Sequence, residues 1–336
     1  MSSHSFCDDS RAANPQSKND GSLEEEDVID KVVVSVPAST ANLGPGFDAF
    51  GLALEMRSVY TVEVLPSTER WNVHFEGMGA DVLNEKGFKF VGEVMEYFER
   101  AESVHLPPVS INVHTGIPLT RGLGSSASAI VGLLSCFEVM MNTQFDTGKV
   151  LKYAIGIEGH PDNVTASLVG GFTIASSDKA EVAYMKVIPQ NLKVVVTVPS
   201  SFLSTKKARA CLPDMYARRD AVFNIGRASM LSACIFSGNY DLLSFALHDR
   251  MHQHYREKLV TGFKEVSRAA DRAGAYGAFL SGAGPSIAAL AAPTKADKVA
   301  KSMQKAMAEL DPDAGTYVLD IAAEGVILQP GGENQQ

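Results

Sequence analysis

Pro118-Leu119-Thr120-Arg121-Gly122-Leu123-Gly124-Ser125-Ser126-Ala127 joins an alternating run, Val109-Ser110-Ile111-Asn112-Val113-His114, to an apolar stretch that extends from about Ser125 to Met141. The alternation predicts a strand with one buried face, and the stretch predicts a long helix. Two glycines at the junction let the backbone take positive φ and approach a ligand closely. The amides that open the helix then point at one spot with the positive end of the helix dipole, which makes an anion site. Two hydroxyls in the first turn can reach phosphate oxygens or Mg²⁺. The plainer reading is a tight turn with a serine N-cap. The segment also spells Gly-x-Gly-x-x-Ala, but a dinucleotide fingerprint needs a compact βαβ unit and an acid about 20 residues further on. A second helix follows here instead of a strand. No Gly-Lys-Ser/Thr comes after the glycines, so a P-loop is excluded as well.

Working outward, Lys31–Val36 is a short β-branched run stopped by Pro37, and residues 59–64 and 71–75 alternate as half-buried strands do. Phe88 to Arg100 has helical spacing, Lys149–Glu158 reads as a helix, and residues 170–175 return as a strand. The second half repeats this vocabulary. Strands are expected at 182–188, 193–198, 276–280, 286–291, 315–321 and 325–328. Helices are expected around 205–211, 215–236, 240–247, 255–273 and 295–309. Strands in pairs, mixed with helices but without strict βαβ alternation, indicate α+β layers, not a doubly wound sheet.

The 336 residues suit two domains at about 100–200 residues each. Apolar residues at 45% and charged residues at 21% are ordinary globular composition. The net charge of −9 is concentrated in residues 1–30, which hold eight acids and two bases. Residues 1–27 are therefore expected to be a disordered acidic tail, with domains at 28–186 and 187–330. The body shows no basic stripe, which argues against nucleic acid as a partner. Cys7, Cys136, Cys211 and Cys234 form no Cys-x-x-Cys pair and fit reduced thiols. No apolar run reaches the roughly 18 residues of a membrane span, and the N-terminus lacks a secretory pattern, so a cytoplasmic protein without a membrane partner is expected.

Four further segments carry chemistry. Ala41-Asn42-Leu43-Gly44-Pro45-Gly46-Phe47-Asp48 leads from a buried strand into a loop that presents an amide and a carboxylate. Glu158-Gly159-His160-Pro161-Asp162-Asn163 ends one helix and opens the next element; a carboxylate there can hold a metal, and Asp162 can equally be a plain N-cap. In Ser204-Thr205-Lys206-Lys207-Ala208-Arg209, Thr205 and Arg209 share one helix face at i, i+4. Ser281-Gly282-Ala283-Gly284-Pro285-Ser286 is a glycine loop between two strands. His248-Asp249-Arg250-Met251-His252 imitates the helical zinc-protease pattern, but Asp is a methylene short of the required Glu. It reads as a solvated or substrate-rim helix face.

The order and wording of these segments resemble the GHMP kinase superfamily and, within it, the homoserine kinase family. The superfamily features are the loop at 118–127 and the late glycine loop at 282–284. The family features are 41–48, 158–164, 204–209 and His254-Tyr255-Arg256. The resemblance spans about residues 31 to 328. It implies a two-domain GHMP kinase fold, with a ribosomal protein S5 domain 2-like N-terminal domain, a ferredoxin-like C-terminal domain and the active site in the interdomain cleft. It also implies phosphoryl transfer from ATP to the side-chain hydroxyl of L-homoserine, in threonine biosynthesis, by a homodimer.

Carried over residue by residue, the resemblance makes Pro118, Arg121, Gly122, Leu123, Gly124, Ser125, Ser126 and Ala127, with Gly282 and Gly284, the nucleotide cradle. Ser126 and Glu158 become the Mg²⁺ ligands. Asp48 takes the substrate ammonium, Arg209, Arg256 and Thr205 take its carboxylate, and Asn42 and Asn163 are left for the reacting hydroxyl. Asn163 stands where some superfamily members carry a catalytic aspartate, so transfer without a strong protein base is expected, with neighbouring Asp162 the alternative base. Asn42, Asn163 and Arg209 are the expected catalytic residues. The chain departs from its relatives at Lys89-Phe90-Val91, where Asn-Leu-Val is usual, so Lys89 is not taken as a base contact. Another small alcohol such as mevalonate, and a non-catalytic nucleotide sensor, are the alternatives.

Overall fold

The computed structural model describes residues 28–66, 70–141, 145–178 and 181–329. The expected acidic tail and Cys7 lie outside the described residues. The first half comprises β1 (Lys31–Ala41), β2 (Phe50–Val64), β3 (Trp71–Gly77), α1 (Ala80–Glu102), β4 (Val109–Thr115) and α2 (Ser125–Met141), followed by α3 (Thr147–Glu158), α4 (Asp162–Val169), β5 (Phe172–Asp178) and β6 (Glu181–Val187). The second comprises β7 (Lys193–Val198), α5 (Thr205–Ala210), α6 (Arg218–Ser237), α7 (Leu243–Ala246), α8 (Gln253–Arg256) and α9 (Phe263–Ala273). It continues through β8 (Gly277–Leu280), β9 (Ile287–Ala291), α10 (Pro293–Ala308), β10 (Gly315–Leu319) and β11 (Ile327–Gln329). No helix among the described residues is long and apolar enough to cross a membrane.

The first sheet runs β11-β1-β2-β4-β3, with β5 on β2 and β6 on β5. Alternation in β4 turns Val109, Ile111 and Val113 inward, where they pack with Val94 and Phe98 of α1 and Ile130, Leu134 and Phe137 of α2. Each such side chain contributes roughly 1.5–3 kcal/mol on full burial, far more than strand propensity, so the core sets the register. β1 continues beyond Pro37, where a stop was expected. The register against β2 shifts between Pro37 and Ala38, a bulge that absorbs the missing N–H and lets the strand run on to Ala41. β2 likewise starts at Phe50, well before the expected residue 59.

The second sheet has the order β10-β7-β9-β8 and is antiparallel throughout. Strand–helix–strand–strand–helix–strand in that order is the ferredoxin-like arrangement. Val195, Ile287 and Ala289 meet Val266, Ala270, Val299 and Met303 of α9 and α10 on one face. Val194, Val196 and Leu290, on the other face, share a core with Leu231 and Ile235 of α6 and with Leu52, Leu54 and Phe172 of the first sheet. That common core locks the two halves together and holds a cleft between them.

Two further differences from expectation matter for the cleft. The helix anticipated over 255–273 is broken: α8 ends at Arg256, and Gly262 at φ 75° re-aims the chain into α9. Arg256 therefore faces the cleft while α9 covers the sheet. The stretch assigned to the second domain also reaches back, because β11 pairs with the outer edge of β1, from Val33↔Gln329 to Ser35↔Ile327. It satisfies a backbone edge that would otherwise stand open.

Candidate active site

The cradle forms where three chain segments meet. Gly122 and Gly124 have φ of 75° and 68°. A Cβ on Gly122 would stand 2.3 Å from the Ser281 carbonyl oxygen, and one on Gly124 would stand 2.1 Å from Ser39 Oγ. Glycine is required by this close approach, which brings the late glycine loop and β1 against the start of α2. Ser281 Oγ donates to the Gly122 carbonyl at 2.6 Å, and the Gly282 amide donates to the Ala41 carbonyl at 3.1 Å. Asn42 completes the junction: its Nδ2 donates to the Gly282 carbonyl at 2.8 Å, and its Oδ1 accepts from the Asp48 amide at 3.0 Å. The Asn42 side chain is thus engaged in joining two loops at the wall of the site.

A cleft of about 650 Å³ opens beneath this junction. It gathers Asn42, Asp48, Gly122, Gly124, Ser125 and Ser126 with Glu158, Asn163, Thr205, Arg209, Arg256, Gly282 and Gly284. Pro118, Leu123 and Ala127 do not line it; Leu123 and Ala127 are buried and shape the loop from behind. Arg121 turns its guanidinium away, donating to the Pro199 carbonyl at 2.8 Å and to those of Ser200 and Leu119 at 2.5 and 3.3 Å. Only its backbone remains with the loop.

Ser126 Oγ donates to Glu158 Oε2 at 2.9 Å, so hydroxyl and carboxylate share one edge of the cleft. Burial pushes the Glu158 carboxyl above its ordinary pKa, partly offset by His160 and Ser126. A largely buried carboxylate beside a hydroxyl and a helix N-terminus is a donor set that suits Mg²⁺ once ionised, since that cation shares phosphate oxygens instead of needing an all-protein cage. Asn163 stands opposite. Its Oδ1 accepts from Ser39 Oγ at 3.0 Å, and its backbone N–H donates to the Asp162 carboxylate at 2.8 Å.

At the other end, Arg209 and Asp48 form a two-pronged ion pair, Nη1–Oδ2 2.8 Å and Nη2–Oδ1 2.9 Å. Donating to the Asp48 carboxylate holds the Arg209 guanidinium above its ordinary pKa. Thr205 lies one helical turn before Arg209 on α5. Arg256 differs from both. It is 1% exposed, donates to the carbonyls of Ala208 and Gly282 and to His252, and has no acid as an ion-pair partner among the described residues. Burial, then the charge of Arg209, pulls its pKa down.

Two residues at the site were not singled out from the sequence. His160 Nδ1 bonds the Asp162 carboxylate. Burial alone would lower the His160 pKa, but the bond and charge of Asp162 more than offset it, and the net shift is upward. Ligand atoms of Asp48, His160 and Asp162 lie within 4.8 Å of one another, a grouping that could hold a cation. Phe47 lies beneath both arginines, its ring centre 5.5 Å from the Arg209 guanidinium and 5.2 Å from that of Arg256. Its position between the last glycine and Asp48 was the available signal. The His248–His252 stretch is no solvated helix face: it is a turn leading to α8, and the Asp249 and His252 side chains are wholly buried.

A second cavity, about 1420 Å³, adjoins the first through Ser125 and Ser126. Tyr60, Phe75, Phe90, Val91 and Leu133 make it mainly apolar, and Phe202 stands at its rim over the Arg121 guanidinium. Phe90 and Val91 thus occupy the region where the sequence departs from its relatives. Lys89 points out and pairs with Glu93 at 3.6 Å.

Against known proteins, residues 89–171 match the family described as GHMP kinases N terminal domain, and residues 231–309 match GHMP kinases C terminal. A homoserine kinase of Picosynechococcus is 38% identical over 301 residues, 88% of this chain and 98% of that protein. The chain belongs to the homoserine kinase family. A second homoserine kinase, of Desulfitobacterium hafniense, is 37% identical over 298 residues, covering 88% of this chain and 99% of its own. A crystal structure of homoserine kinase from Cytophaga hutchinsonii superposes with a TM-score of 0.80 at 26% identity, covering 92% of this chain and 100% of that one. In this member of the homoserine kinase family, the N-terminal match holds the 118–127 loop, Glu158 and Asn163. The C-terminal match holds Arg256 and the late glycine loop.

Proposed function

We propose that this protein is a homoserine kinase, transferring the γ-phosphoryl group of ATP to the side-chain hydroxyl of L-homoserine to give O-phospho-L-homoserine and ADP in threonine biosynthesis. The observation that carries the reading is Arg256, a buried guanidinium with no ion-pairing acid among the described residues, set beside the Asp48–Arg209 pair in the cleft that the glycine loops close. A free amino acid supplies the missing anion and, with its ammonium, a cation for Asp48 and the Asp162–His160 pair. A mevalonate-like alcohol has no ammonium to offer, so a carboxylate that drew Arg209 away from Asp48 would leave Asp48 without a replacement cation. The nucleoside of ATP fits the apolar cavity, and its phosphates fit the α2 amides.

Ser126 and Glu158 are the residues that would hold Mg²⁺, which when bound would neutralise phosphate charge. Arg256, Arg209 and Thr205 fix the carboxylate of the substrate, and Asp48 fixes its ammonium, so the terminal hydroxyl is delivered towards the cradle. Asn163 orients that hydroxyl but cannot take its proton. In a loose phosphoryl-transfer transition state the nucleophile is barely deprotonated, so alignment and electrostatics suffice, and the hydroxyl proton leaves late to an oxygen of the transferred phosphoryl group as the bond to ADP breaks. Asp162 is already engaged by His160 and by the Asn163 amide. The reading extends to a homodimer in the cytoplasm.

The test is ADP release with Mg-ATP and a panel of L-homoserine, L-serine, L-threonine and mevalonate. Homoserine is expected to be the preferred acceptor, and turnover of mevalonate without homoserine would overturn the assignment. In the same assay Asp162→Asn should keep its kcat within about tenfold of the parent. Loss of turnover at unchanged homoserine affinity would make Asp162 the base.

A further inference from the structure

The segment 247–256 contains an imidazole that touches both ends of the substrate site. Asp249 begins the arrangement. Its carboxylate accepts from the backbone amides of Met251, His252 and Gln253 at 2.8, 2.9 and 2.7 Å and from Asn224 Nδ2 at 2.8 Å. That cap folds the turn before α8 so that the His252 side chain enters the interior, where it has no exposed surface.

The partners of His252 determine its state. Nε2 is 2.8 Å from the Gly44 carbonyl oxygen, which can only accept, so Nε2 carries the hydrogen. Nδ1 is 3.3 Å from Nη1 of Arg256, which can only donate, so Nδ1 offers its lone pair. Burial draws the pKa of the ring down, in keeping with that neutral tautomer. The ring also stacks on Phe47, with centres 5.3 Å apart at 26°. Gly44 and Phe47 belong to the loop that ends in Asp48. One imidazole therefore grips the loop bearing the ammonium acceptor and the guanidinium that awaits a carboxylate.

We infer that His252 is a positioning residue for amino-acid recognition: as donor to Gly44 and acceptor from Arg256, it sets the separation between the Asp48 loop and the Arg256 guanidinium. A substrate with its amino and carboxylate groups on one carbon needs both anchors at one fixed spacing, so this imidazole tunes selectivity for the α-amino-acid head without touching the substrate. Arg256 relies on it because the remaining hydrogen-bond partners of the guanidinium among the described residues are two carbonyls on separate segments, Ala208 and Gly282. The inference rests on the homoserine reading.

The experiment compares the parent with His252→Phe and His252→Gln, measuring KM for homoserine, KM for ATP, kcat and the melting temperature. Phenylalanine keeps the stacking and loses both hydrogen bonds, whereas glutamine can donate to Gly44 through its amide nitrogen and accept from Arg256 through its oxygen. His252→Phe should raise KM for homoserine about 10- to 100-fold, with KM for ATP and kcat within about threefold of the parent. His252→Gln should restore KM for homoserine to within about fivefold of the parent. An unchanged homoserine KM in His252→Phe, or equal rises in both KM values, would overturn the inference by reducing His252 to a packing residue. Should His252→Phe fail to fold, His252→Asn, whose shorter amide reaches only one partner, takes its place in the comparison and is read by the same criteria. A parent enzyme that releases no ADP with homoserine would refute the functional reading instead.

Discussion

Asp48 and Arg209 neutralise each other in the free protein, yet their side chains remain 30% and 43% exposed. A pair that open to water contributes only about 0–1 kcal/mol, so exchanging it for the two charges of a substrate costs little. Arg256 lies at the opposite extreme: sealed in, it gains most from an incoming carboxylate because no water competes. Glu158 shows the same economy on the nucleotide side. Its pKa is raised in the fold by burial, so the ionised carboxylate weakens the folded state. That penalty is absent below the ordinary carboxyl pKa, and it grows as pH rises through the window up to the raised value. Glu158→Gln should therefore melt higher than the parent at neutral pH, while turnover with Mg-ATP falls at least about 100-fold. Thermal melts and the ADP-release assay check both halves, and a lower melting temperature would mean that Glu158 stabilises the free protein.

Among the elements, α2 and α5 hold the residues proposed to bind ligands by opposite means. α2 is apolar on nearly every side and buried between the first sheet and α1, α3 and α4, so its N-terminal amides are held rigidly over the cleft. α5 has only six residues, too few to hold a helix by itself, and it carries Thr205 and Arg209. Its start depends on Ser204, whose Oγ accepts from the Lys207 amide at 3.2 Å. Ser204→Ala should cost about 1 kcal/mol locally and raise KM for homoserine about three- to tenfold. KM for ATP should not move, since α5 does not form the phosphate cradle. Equal changes in both constants would show the cap to matter for the whole cleft.

At the scale of the molecule, a shared core fastens the two sheets, and the returning C-terminal segment straps them from outside. Arg57 anchors the strap: Nη2 donates to the Glu324 carbonyl at 2.7 Å, and Nη1 donates to that of Gly325 at 3.0 Å. Lys186 adds bonds to the carbonyls of Val169 and Ala323. Arg57→Met keeps the aliphatic stem and removes the donors. It should destabilise the protein by about 2 kcal/mol, as hydrogen bonds from a charged donor do, while leaving the kinetic constants near those of the parent. Differential scanning calorimetry measures the loss, and an unchanged melting temperature would mean the segment holds without Arg57.

Local sequence determined the α+β alternation, the start of α2 at Ser125, the face shared by Thr205 and Arg209, and the positive-φ glycine loops. Periodicity, capping and backbone strain act over a few residues, so they are written into short stretches of chain. The bulge at Pro37 and the break at Gly262 were less legible, because core packing decided whether each punctuation mark ended an element or only bent it. Tertiary structure alone decided which charges meet. Asp48 and Arg209 are 161 positions apart, Arg121 spends its guanidinium on the carbonyls of Pro199 and Ser200, and His252 is drawn inside to serve Gly44 and Arg256. Hydrophobic burial that joins the sheets is non-directional, so no pattern along the chain names the polar partners it brings together; those pairings exist only once the two halves are docked.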